Sequence, residues 1–79
     1  MTQALHANLL VLSSGAGLTF NEAMIAAADV IVGTPSTGIS RTYNEAVIDL
    51  AQALSGEAMS TCSGAMAYLE ANAGGLSAP

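Results

Sequence analysis

The chain has 79 residues and a net charge of -5, with no lysine and Arg41 as its only arginine. Binding to nucleic acid or to an anionic membrane surface calls for several basic side chains, so this charge balance excludes both. Cys62 and His6 are the only residues of their types, which excludes an internal disulfide and a structural zinc site of Cys and His ligands.

A chain this short forms one domain, read here as a single unit over 1–79, and a core of this size is marginal. Small scaffolds compensate with disulfides, metals or oligomerisation, and only the last is open to this sequence. Hydrophobic residues make up 52% of the chain, but 16 of the residues are alanine and charged residues are only 9%. Ordinary domains carry about 25% charge. The composition therefore predicts exposed apolar surface, which marks an interaction face.

In chain order, the first predicted element is a helix near 3–13, with Leu5, Leu9 and Leu12 on one face and Leu10 and Val11 thickening it. The apolar stretch from Ala4 to Phe20 is interrupted by His6, Asn8, Ser13, Ser14, Gly15 and Gly17, so stable membrane insertion is not expected. It also lacks the basic start of a secretory leader, and a cytoplasmic location is the expectation. Ser13 to Gly17 reads as a break.

An internal repeat follows. Residues 19–33 (TFNEAMIAAADVIVG) and 42–56 (TYNEAVIDLAQALSG) are identical at seven of fifteen positions. Thr19-x-x-Glu22 and Thr42-x-x-Glu45 both match the capping box, in which hydroxyl and carboxylate satisfy the first backbone N–H groups of a helix. Gly33 and Gly56 stand at equivalent positions suited to a helix end. The first copy predicts a helix over 19–32, stopped by Gly33 and Pro35, with a turn over 33–41.

Beyond the second capping box, Tyr43, Val47, Leu50, Leu54, Ala58, Cys62, Ala65 and Leu69 keep spacings of three or four residues. That spacing predicts one long helix over 42–72, bent at Gly56, ended by Gly74-Gly75 and followed by a disordered tail over 73–79. On such a helix Cys62 is buried in the apolar stripe, Gly56, Ser60 and Gly64 share a face open to close helix contact, and Glu45 and Asp49 repel mildly.

No catalytic or metal-binding constellation emerges, and no cofactor is expected. His6 reads as ordinary surface, Cys62 lacks a neighbouring base, and the serines form no nucleophile elbow. The paired carboxylates have no Glu-x-x-His companion. An enzyme is therefore not expected. Glu22, Asp29, Glu45, Asp49, Glu57 and Glu70 are candidate pH-sensing groups. Carboxylates titrate near pH ~4, so assembly or solubility is expected to change below about pH 5.

Residues 20–60 resemble the RebB-like "killing trait" family, the small subunits of R-bodies. The resemblance rests on Val30-Ile31-Val32-Gly33, Pro35, Tyr43, Ala51-Gln52-Ala53-Leu54 and Ala58-Met59, with Asn21-Glu22-Ala23-Met24 in place of a similar polar–acidic–Ala–apolar start. The chain departs from the family pattern by a spacing between Tyr43 and Ala51 longer by about one helical turn. It also lacks the family's lysine in the valine segment, and Ser55 stands where a glycine is usual. The resemblance implies a structural protein that polymerises in the bacterial cytoplasm into insoluble ribbons, some of which extend on acidification.

The expected fold is all-α: a helical hairpin with a duplicated capped helix, assembling into a polymer with itself or a paralogous subunit. Phe20, Met24, Ile31, Tyr43, Val47, Leu50, Leu54 and Leu69 are its expected packing residues. The competing readings are a phage or viral filament or tail-type subunit and a small helical binding module.

Overall fold

The computed structural model describes residues 2–72; the expected tail at 73–79 lies outside them. The architecture is all-helical, with α1 (Thr2–Ser13), α2 (Phe20–Val32), α3 (Tyr43–Ser55) and α4 (Cys62–Ala71). Each helix packs chiefly on its neighbour in sequence, and α1 meets α4 only marginally.

Caps account for the helix limits. The Thr19 hydroxyl accepts from the Glu22 N–H at 3.2 Å, and Glu22 Oε1 accepts from the Thr19 N–H at 2.9 Å. Thr42 and Glu45 repeat this box at 3.2 and 2.8 Å. A Thr cap of this kind stabilises a helix by about 1 kcal/mol. At the far ends the Gly33 N–H donates to the Asp29 carbonyl and the Gly56 N–H to the equivalent Gln52 carbonyl. α1 ends with the Gly15 N–H bonded to the Leu10 carbonyl at 3.2 Å. A side chain at Gly15 would require Leu18 to shift, because its Cβ would lie 2.5 Å from the Leu18 Cδ1.

The duplication extends to packing. α2 buries Ala23, Met24, Ala27 and Ala28, and α3 buries Ala46, Val47, Leu50 and Ala51. These are the same four positions of the two copies. With Leu5 and Leu9 of α1 and Ala65 and Leu69 of α4 they form one core. Half of the wholly buried apolar residues are alanine. Alanine lets helix axes approach closely but contributes little transfer free energy, so caps and polar ties carry a large share of specificity.

The long helix expected over 42–72 is instead two helices. Gly56 adopts the left-handed conformation (φ 75°) that a glycine tolerates and a side chain resists. The segment 56–61 is then fixed locally: the Met59 N–H donates to Gln52 Oε1 at 3.0 Å. Thr61 opens a new helix, its hydroxyl accepting from the Gly64 N–H at 3.1 Å. Consequently Gly56, Ser60 and Gly64 do not share a helix face. Cys62 is half-buried at the first position of α4 rather than hidden in a stripe.

Candidate functional site

The connection over 33–42 is organised by Arg41. This residue is only 7% exposed. Its guanidinium donates to Asp29 of α2, to Asp49 Oδ2 of α3 at 3.2 Å and to the Gly33 carbonyl at 2.9 Å. The two carboxylates stay about one-third exposed (33% and 37% of side-chain surface) and so retain solvent on their outer side. A buried guanidinium without partners is costly, and here both acids and a carbonyl satisfy it. Pro35, Thr37, Ile39, Ser40, Arg41, Glu45 and Asp49 line an open cleft of about 380 Å³ beside this hub.

A second polar tie joins α1 to the segment after it. His6 is half-buried, with Nε2 2.9 Å from the Leu18 carbonyl. A carbonyl only accepts, so Nε2 carries the hydrogen. The His6 ring meets Phe20 edge-on at 5.9 Å, and Phe20 meets Tyr43 at 6.1 Å. Phe20 and Tyr43 occupy the same position of the two repeat copies, so the copies touch through their equivalent aromatic residues. Burial raises the Tyr43 phenol above its ordinary pKa, and the nearby Cys62 and Glu70 push in the same direction.

The six acids divide into separate roles. Glu22 and Glu45 complete capping boxes. Asp29 and Asp49 hold Arg41, so Asp49 faces a cation as well as its helix neighbour Glu45. Glu57 is exposed in the 56–61 segment and Glu70 is half-exposed on α4. Among the described residues no group of three or more His, Cys, Asp or Glu side chains is placed to hold a metal ion. No described helix is long and apolar enough to cross a membrane.

The expected packing residues fall into two groups. Met24, Val47, Leu50 and Leu69 are wholly buried inside the chain, while Phe20, Ile31, Tyr43 and Leu54 are half-buried against the same core. Substituting Leu50 with Asp would therefore attack the fold itself and does not test an interface. Among the described residues the large apolar side chains that face solvent are Val11 (77%), Ile39 (74%), Val30 (59%) and Val32 (47%). Sequence periodicity groups residues by face and cannot say whether that face meets the same chain or another. Val30 and Val32 lie outside the buried set of α2, and Ile39 lies in a loop. The Arg41 hub also escaped the sequence reading, since no spacing rule links position 41 to 29 and 49.

Comparison with families of known proteins, with characterised proteins and with solved structures finds no match to this chain.

Proposed function

We propose that this protein is a structural subunit that assembles with copies of itself into a cytoplasmic polymer, in the manner of the R-body subunits its sequence resembles, and that it is not an enzyme. The observation that carries this reading is the character of its surface. Val11, Val30, Val32 and Ile39 are solvent-facing, while the only cation is buried and shared between two acids. Apolar side chains in water favour burial against a partner. Among the described residues no cation is exposed, which discourages nucleic acid and weighs against a coat that packages a genome.

The test is negative-stain electron microscopy and light scattering of the purified full chain at about pH 7 and about pH 4.5, spanning the titration of most carboxylates. Ribbons or coils, altered in shape by acid, are the expected result. Straight tubes insensitive to pH would favour a filament or tail-type subunit. A monodisperse particle of one or two chains at both pH values would overturn the polymer and leave a helical binding module.

A further inference from the structure

The helix α4 is a third, worn copy of the repeat. Aligned on its cap, TCSGAMAYLEANAGG (61–75) matches the first copy at Thr61, Ala65, Met66 and Gly75, and the second at Thr61, Ala65, Leu69 and Gly75. Gly64 replaces the capping-box glutamate, which is why the similarity is easily overlooked. The structure makes the equivalence physical. The Thr61 hydroxyl caps α4 as Thr19 and Thr42 cap α2 and α3. Ala65 and Leu69 are buried where Ala23 and Ala27 are buried in the first copy, and Ala46 and Leu50 in the second.

The pattern breaks at two positions, one of them being Glu70, half-exposed where Ala28 and Ala51 are buried, and the other Met66. Met24 and Val47 are wholly buried, while their counterpart Met66 is only half-buried. The neighbours explain it: α2 lies against α1 and α3, α3 lies against α2 and α4, but α4 has α3 and only a marginal contact with α1. So α4 has the surface of a repeat whose next neighbour is missing. In a stacked array each helix completes the burial of the one before it.

We infer that the missing neighbour is α1 of a second copy of the chain, docked head to tail on the open side of α4. The stacking continues there the packing already present within the chain, and charge selects the partner helix. α1 (TQALHANLLVLS) contains no acid and no basic residue other than His6, and it exposes Ala4, Ala7 and Val11. α4 has a single acid, Glu70, which is half-exposed. α2 and α3 each carry two acids. Between two copies with a net charge of -5 and no exposed cation among the described residues, docking α1 rather than α2, α3 or α4 on α4 sets no second acid against Glu70. Exposed Ala67 and Ala71 leave room for Val11 to approach. A contact between two different faces leaves one face of each kind free on every copy, so it propagates head to tail, into an open polymer wherever the rotation does not close a ring.

The inference rests on the self-assembly reading, and one experiment separates the two. Ala67→Lys on α4 and Val11→Glu on α1 both alter exposed positions, so circular dichroism should show unchanged helix content. Each variant alone places a lone charge in an apolar contact and should raise the concentration needed for assembly at least about tenfold. Mixed in equal amounts they should co-assemble near the wild-type concentration. Alternating copies then set the introduced lysine against the introduced glutamate, with every second contact left native. Assembly of either variant as readily as wild type, or no recovery on mixing, would overturn this contact while leaving self-assembly standing. A wild-type chain that never assembles would overturn both.

Discussion

Residues 33–42 and residues 56–61 both carry the chain from one threonine-capped helix to the next, and both begin at a glycine with positive φ. They are held by different physics. The first is tied at a distance: Arg41 gathers a carboxylate from α2, a carboxylate from α3 and the carbonyl that ends α2. The second is held by bonds within its own neighbourhood, Met59 to Gln52 and Gly64 to Thr61. A distant tie makes the geometry of several elements depend on one side chain. Local ties let each element be set separately. The first should therefore fail cooperatively and the second piecemeal.

The largest effect should come from emptying the Arg41 hub. Asp29→Asn or Asp49→Asn alone leaves one carboxylate on the guanidinium. Because each acid is about one-third exposed, each single change should cost only about 1 kcal/mol. The double variant leaves a buried cation with a carbonyl and neutral amides, and should cost about 3 kcal/mol or more. A double-mutant cycle from urea unfolding reads the excess directly. A double variant equal to the sum of its singles would show that the three groups do not act as a unit.

At the second connection the changes should be smaller and additive. Thr61→Ala removes the α4 cap and should cost about 1 kcal/mol. Gln52→Ala removes the acceptor of the Met59 N–H and should cost a similar amount, about 1 kcal/mol. The two sites share no partner, so their combination should match the sum within about 0.5 kcal/mol. Strong coupling in unfolding experiments would mean that 56–61 is organised as a unit after all.

The same contrast governs what could be read from the sequence. The starts of α2 and α3 were legible because a capping box is local chemistry, Thr and Glu three residues apart, and the repeat displayed it twice. The stop at Gly33 was legible because Pro35 follows it. The stop at Gly56 was obscured by apolar residues that keep helical spacing across it, although Gly56 and the cap at Thr61 together mark the break. Arg41 was visible only as a lone cation after a turn, because a tie between loop and two helices leaves no periodic trace. The apolar stripe of α3 was legible as a buried face, yet half of the residues expected to meet another chain are instead the core of this one.

The smallest effect is placed where the two connections converge. Tyr43 opens α3 at the end of the first, touches Phe20 of the other copy, and senses Cys62 at the end of the second and Glu70 beyond it. Burial raises its pKa in the folded chain, with Cys62 and Glu70 adding to the shift. The folded state therefore holds the phenol proton more tightly than the unfolded chain, whose tyrosine titrates near pH ~10. Where the unfolded state binds fewer protons, stability falls as pH rises. The contribution is whole below about pH 10 and is lost as pH climbs through the folded pKa above it. The chain has no lysine, so no amine side chain titrates in the same range. Tyr43→Phe keeps the ring but removes the ionising group, and urea unfolding at about pH 9 and about pH 11 should show a smaller alkaline loss for the variant than for wild type. Equal losses would mean that Tyr43 is as free of its neighbours in the folded chain as in the unfolded one. The two connections would then not meet at its ring.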